Sequence, residues 1–152
     1  MPISSASERT TWRQVYLIDT NVISEARKKD RANGGVVAFF RQVAQSSDAL
    51  YLSVVTIGEL RRGVELIRYR GDVPQAALLE AWLQGLLSGY RANILDFDME
   101  AAQVWGRLRV PRAELELDKQ IAAIALVNDL ILVTRNTKDF DRTGLRTINP
   151  FL

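Results

Sequence analysis

Four acidic side chains, Asp19, Glu59, Asp118 and Asp139, stand where strands should end or helices begin, and they are the residues of this chain best placed to do chemistry. What they can do is narrowed by what is missing. The 152 residues include no histidine and no cysteine. A Ser-His-Asp triad, a Cys-His pair and a histidine general base are therefore excluded. So is a zinc site of the usual Cys and His type. Carboxylates, lysines, hydroxyls and a hard metal ion held by oxygen remain. Mg2+ and Mn2+ prefer such oxygen ligands and keep several waters when a few carboxylates bind them. Without a cation, gathered carboxylates repel one another and some take up protons. With one or two cations, the same cluster can activate water and neutralise a phosphodiester in line for attack. Helix N-termini nearby would add N–H donors for phosphate oxygens.

Each acid also has a purely structural reading. Asp19 at a strand end can be a helix cap, and Asp118 a simple N-cap. Glu59 lies on a mostly apolar helical face, where an ion pair with Arg61 or Arg62 would spare it an unpaired burial. Asp139 can cap a turn before Phe140. Asp96, Asp98, Glu114 and Glu116 read as caps and solvated surface.

The elements that must carry these residues can be read from periodicity. Residues 15–19, 49–55, 92–97 and 130–134 are short β-rich runs that predict buried strands, and 145–148 predicts a short fifth. Thr20 and Asn21 are candidate caps for a helix after the first strand. Residues 28–35 read as a loop punctuated by Gly34 and Gly35. Apolar spacing predicts helices over 36–45, 56–69, 75–88, 99–110 and 118–128. Leu78, Leu79, Trp82, Leu86 and Leu87 form a candidate core face, more apolar than one helix stripe needs. Strands separated by helices imply a parallel sheet covered on both faces. In such sheets ligands sit at the carboxyl ends of the strands, which is where the four acids fall.

Composition agrees with a globular chain: 47% apolar and 25% charged residues. No repeat or linker interrupts it, so residues 15–152 read as one domain behind a flexible lead-in over 1–14. No apolar run approaches the roughly 20 residues of a membrane span, and the first residues carry no secretory pattern. A cytoplasmic location is expected, and the absence of cysteine agrees with a reducing compartment. Net charge is only +2, so bulk charge says little about a nucleic-acid partner, although the pI is about 9.1.

The runs LIDTNVISE (17–25), TIGELRRG (56–63), LDKQIAAIAL (117–126), VTRNTKDF (133–140) and INPF (148–151) together resemble the PIN-domain family. Within it they are most similar to the VapC-type branch, the toxins of type II toxin–antitoxin pairs. The resemblance runs in order from Tyr16 to Phe151. It implies a three-layer α/β/α sandwich around a central, mostly parallel sheet of four to five strands. It implies an endoribonuclease dependent on Mg2+ or Mn2+, a homodimer, and neutralisation by a small cognate antitoxin. Asp19, Glu59 and Asp118 match the family's metal-binding acids, and Asp139 its more variable fourth. Thr134 and Asn136 match polar positions that orient ligands or water, and Asn21 a structural hydrogen-bonder.

Three features depart from the family's pattern. Lys119 replaces a small or apolar residue after the third acid, Ile124 stands where threonine is common, and the lead-in is long. Lys119 is expected to send its charge to solvent along a flexible stem. RNA contact is expected from basic groups near the acids: Arg27, Lys28, Lys29 and Arg31, then Arg61 and Arg62, then Arg135 and Lys138. Such groups neutralise phosphates without reading sequence. The arginines near Glu59 can instead serve the antitoxin. Competing readings are a PIN nuclease outside toxin–antitoxin systems, a phosphatase with Asp19 as nucleophile, and a binding module without catalysis. Asn21 disfavours the phosphatase, since such folds often carry a second Asp there.

Overall fold

Alternation along three short strands sets the layers. In β1 (Val15–Ile18), Tyr16 and Ile18 face one core and Leu17 faces another. In β4 (Ile131–Val133), Val133 joins the first core and Leu132 the second. In β2 (Ala49–Ser53), Leu52 joins the first and Tyr51 packs on the second. A strand with two apolar faces must be covered on both. A computed structural model, which describes residues 13–152, shows how this is done. The lead-in expected over 1–14 falls almost wholly outside the described residues.

Helices α1 (Thr20–Ala26), α2 (Gly34–Ala44), α3 (Val54–Tyr69) and α4 (Val73–Gly89) supply the first core. Helices α5 (Met99–Leu108) and α6 (Glu116–Val127) supply the second. Residues Ile121, Ala122, Ala123, Ile124 and Ala125 of α6 are all fully buried. The alanines let α6 lie close between the sheet and α5, and a helix apolar all round is a buried one. Burying a side chain such as Leu132 or Ile121 stabilises the fold by about 1.5–3 kcal/mol.

The sheet has five strands in the order β3-β2-β1-β4-β5, and every pair is parallel. The chain builds outward from β1 to β2 and β3 (Ile94–Leu95), then returns past β1 to β4 and β5 (Thr147–Ile148). Neighbouring connections therefore part company between β1 and β4. This is the switch point whose carboxyl-end crevice receives ligands in open α/β sheets.

Several expected boundaries move, each for a local reason. The first helix is capped by Asp19, whose side chain accepts from the Thr20 N–H, and not by Thr20 or Asn21. The second strand stops at Ser53 because Ser53 caps α3, accepting from the Thr56 N–H at 3.0 Å. That leaves β3 only Leu52 and Ser53 to pair with, so it is two residues and not six. Before it, Asn93 sits in a 3-10 turn and donates its side-chain amide to the Leu50 carbonyl. The loop expected over 28–35 contains a 3-10 turn at Lys29–Arg31 and the start of α2. Asn33 caps α2, accepting from Gly35 and Val36. Gly35 is needed for close approach and not as punctuation: a Cβ there would lie 2.1 Å from the Pro150 carbonyl oxygen.

Candidate active site

Asp19 follows β1 directly and continues its ladder, donating its N–H to the Val133 carbonyl at 2.9 Å. Its carboxylate therefore opens onto the crevice between β1 and β4, and it is 97% removed from solvent, with 3% exposed. Three donors hold it. The Thr20 N–H reaches Oδ1 at 2.8 Å, the Thr134 hydroxyl donates to Oδ2 at 2.7 Å, and the Asn21 amide donates to Oδ2 at 3.2 Å. Thr134 follows β4 and is fully buried, so one hydrogen bond ties the two sides of the switch point together. Asn21 also accepts from the Arg135 N–H at 3.1 Å, which pins the turn after β4 to α1. The role expected of Asn21 as a structural hydrogen-bonder is what these contacts describe.

Glu59 reaches the same rim from the second turn of α3. It makes no ion pair with Arg61 or Arg62. Its Oε1 instead accepts from the Thr20 hydroxyl at 2.9 Å. The Thr20 hydroxyl also lies 3.0 Å from that of Thr56, which lies 3.3 Å from that of Ser53. With one proton per hydroxyl, the set is satisfied in the order Ser53 to Thr56 to Thr20 to Glu59. Thr20, Thr56 and Ser53 were not identified from sequence as site residues. The available signal was a hydroxyl directly after Asp19 and two more just ahead of Glu59.

Asp118 comes from the opposite layer, where α6 packs against α3. It is not an N-cap: the helix begins at Glu116, and Leu115 before it has a left-handed backbone with φ 54°. Asp118 lies in the first turn, half-buried, with no side-chain hydrogen bond or ion pair among the described residues. Asp139 sits in the 3-10 turn Thr137–Phe140 after β4, exposed. Asn136 is exposed too, and its backbone N–H donates to the Thr134 hydroxyl at 3.1 Å.

The four acids feel one another. Burial is the largest cause raising the Asp19 carboxyl above its ordinary range, and the charge of Glu59 adds to it; the bonds from Thr134, Thr20 and Asn21 oppose both. Glu59 is raised by burial and by Asp118, against the Thr20 bond. Asp118 is raised by burial, then by Asp19 and by Asp139. None of the four forms an ion pair among the described residues. Nor, among those residues, do any three carboxylates form a ready-made ligand group for a metal ion. The donor set nevertheless fits a hard cation: all oxygen, uncompensated negative charge, and carboxyls pushed toward protonation that a divalent charge would relieve.

The basic residues expected to meet RNA are dispersed. Lys28 is paired with Glu25 at 3.0 Å. Arg61 grips Glu80 with two bonds of 2.7 and 2.8 Å, away from Glu59. The Arg135 guanidinium stacks on the Phe151 ring at 4.8 Å. Arg27 is half-buried, and Lys29, Arg31 and Arg62 are exposed. Lys138 lines a cleft beside Asp139, and Lys119, half-buried, lines the same cleft.

The fold recurs in known proteins. The family model for the PIN domain matches residues 16–145. The plasmid stability protein StbB of Pseudomonas syringae pv. tomato is 36% identical over 142 residues, covering 90% of this chain and 99% of that protein. The tRNA(fMet)-specific endonuclease VapC of Shigella flexneri is 36% identical over 138 residues, covering 87% and 95%. Toxin FitB of Neisseria gonorrhoeae is 31% identical over 142 residues, covering 90% and 99%. The crystal structure of FitAcB from that organism superposes with a TM-score of 0.76 at 31% identity, covering 89% of this chain and 97% of that one. A five-stranded parallel sheet between two helical layers, with acids gathered at its switch point, thus occurs here in a chain that belongs to the PIN-domain family.

Proposed function

We propose that this chain is a metal-dependent endoribonuclease, the toxin of a type II toxin–antitoxin pair, with Asp19, Glu59, Asp118 and Asp139 as its acidic site. The observation that carries the reading is the nearness of acids from four segments beside the switch crevice, none in an ion pair among the described residues, with the carboxyls of Asp19, Glu59 and Asp118 raised by burial and by one another. A purely structural role would set a cation beside acids as buried as Asp19, Glu59 and Asp118. The endonuclease and toxin names of the relatives support the activity class.

Asp19, Glu59 and Asp118 would hold Mg2+ or Mn2+, with Asp139 assisting. The cation, when bound, supplies Lewis acidity toward a phosphate oxygen and lowers the pKa of water. The chain's own residues prepare the site. Thr134 and Asn21 fix the Asp19 carboxylate in one rotamer, and Thr20 aims Glu59 while donating its N–H to Asp19. Among the described residues nothing donates to the Asp118 carboxylate, which leaves its lone pairs to a ligand. Asn136 supports Thr134 through its backbone and leaves its own amide exposed to substrate or water. The packed layers exclude water from behind Asp19, so its charge is little screened.

Exposed apolar side chains support a protein partner. Tyr69, Val73 and Leu78 on α3 and α4 are 90%, 64% and 67% exposed, although Leu78 was expected in the core. A homodimer and a small antitoxin are both part of this proposal. Among the described residues no helix is long and apolar enough to cross a membrane.

The test is cleavage of RNA by the purified chain with Mn2+, followed by sequencing of the cut ends. Wild type should cleave and Asp19→Asn should not. Equal cleavage by both would remove Asp19 from the site, and no cleavage by wild type would remove the nuclease reading.

A further inference from the structure

Next to the acidic rim lies a cleft of about 690 Å³ between the end of α5, the 109–116 connection and the turn after β4. Five cations line it: Arg107, Arg112, Lys119, Lys138 and Arg142. They face three carboxylates, Glu114, Asp139 and Asp141. None of the five is in an ion pair among the described residues, whereas Arg61 and Arg68 on α3 are both paired. The cleft and the acidic site are continuous, because Asp139 belongs to both and Lys119 adjoins Asp118. Two segments distant in sequence build it, with Arg107, Arg112 and Lys119 on one wall and Lys138 and Arg142 on the other.

We infer that this cleft is the path by which a single-stranded RNA backbone enters the acidic site, an assignment that rests on the nuclease reading above. Unpaired cations beside clustered acids solve a physical problem. The acids alone repel a polyanion, and the flanking cations return the attraction needed to bring a phosphate to them. The lining has no aromatic ring, so bases are not held by stacking, and Leu108, Val110, Pro111 and Leu115 offer only apolar contact. Recognition here is of phosphates, with little discrimination between bases. Of the basic residues picked from sequence, only Lys138 lies in this path.

The experiment measures binding apart from cleavage. A short labelled single-stranded RNA is titrated in chelator across a salt series, using wild type, the triple variant Arg107→Ala, Arg112→Ala, Arg142→Ala, its triple lysine counterpart, and a control triple Arg41→Ala, Arg70→Ala, Arg91→Ala. Cleavage of the same RNA is followed separately with Mn2+. Single strands lose about 0.7 in log–log salt slope per phosphate contact. The cleft triple should bind about tenfold or more weakly and lose about 2 from the slope. The lysine triple and the control should keep both, and Asp118→Asn should lose cleavage while keeping the slope. Unchanged melting of the cleft triple shows that folding is not the cause, since its three arginines are exposed. Wild-type affinity and slope in the cleft triple, while wild type cleaves RNA, overturn the path and leave the nuclease standing. Failure of wild type to bind or cleave any RNA removes both readings.

Discussion

Helix α3 carries two groups of charge that behave in opposite ways. On one face Glu59 joins Asp19, Asp118 and Asp139 in a rim with no cation among its described contacts, and burial and mutual repulsion raise the first three carboxyls. On the other face Arg61, Glu65, Arg68 and Glu80 form a closed lattice of ion pairs bridging to α4. There the Arg61 guanidinium lowers Glu80 from 4.5 to about 2, and Arg68 lowers Glu65. The lattice is self-neutralising and solvent-exposed, so it needs no ligand. The rim is half-buried and uncompensated. Carboxylates alone do not mark a candidate site; carboxylates in a crevice with no cation paired to them do.

The contrast is broken most directly by removing one acid from each region. Asp118→Asn should lower RNA cleavage by at least about 100-fold, the upper end of the loss seen for groups that merely support metal ligands. Glu80→Gln should leave cleavage near wild type. Comparable losses from both would erase the distinction between rim and lattice.

A second prediction concerns what holds the rim together. Thr134→Val removes the hydroxyl bonded to the buried Asp19 carboxylate and should cost about 1–3 kcal/mol. In a chain of this size that lowers Tm by roughly 2–4 °C per kcal/mol. Asp118→Asn, which breaks no hydrogen bond and relieves repulsion, should melt at or above wild type in chelator. Added Mn2+ should then raise the Tm of wild type more than that of Asp118→Asn, because a ligand stabilises only the folded site it binds. A marked destabilisation by Asp118→Asn in chelator would point to a structural partner for this acid.

The third prediction sets the two regions against each other in pH. Rim carboxyls have raised folded pKa values, so the folded state holds protons that the unfolded chain has released. Stability is therefore highest below the ordinary carboxylate range and falls as pH rises through the raised values. Glu80 is opposite: its contribution is present above 4.5 and is lost as pH falls toward about 2. Urea midpoints measured across pH should show the neutral-side decline flattened in Asp118→Asn. The acid-side decline should be flattened slightly in Glu80→Gln, because exposed pairs are screened by water. If Asp118→Asn keeps the full neutral-side decline, the raised Asp118 carboxyl does not contribute to it.

The smallest effect concerns salt. Destabilisation by Glu80→Gln should fade as ionic strength rises, since the Debye length shrinks from about 10 Å at 0.1 M to 3 Å at 1 M. Destabilisation by Thr134→Val should persist, because its hydrogen bond is buried. Equal salt sensitivity in thermal melts would contradict the difference in burial.

What the sequence alone determined follows from short-range rules. Alternating and continuous apolar runs identified the strands, and helical spacing identified the helices over 36–45, 56–69, 75–88 and 99–110, because periodicity is a local property of which face is buried. The types and order of Asp19, Glu59, Asp118 and Asp139 pointed to oxygen-ligand chemistry, since the absence of histidine and cysteine left little else. Their register to one crevice was not local. It depended on the chain reversing direction of growth at β1, so that β4 and the turn bearing Asp139 pack beside Asp19, and on α6 crossing to meet α3. Long-range packing likewise decided that Thr20 bonds Glu59 and does not cap a helix, that Gly35 yields to the Pro150 carbonyl, and that Leu78 faces outward. Nor could spacing show that Arg107, Arg112, Lys119, Lys138 and Arg142 share a cleft. A charge's partners depend on which surfaces meet, and those are fixed only when distant segments fold together.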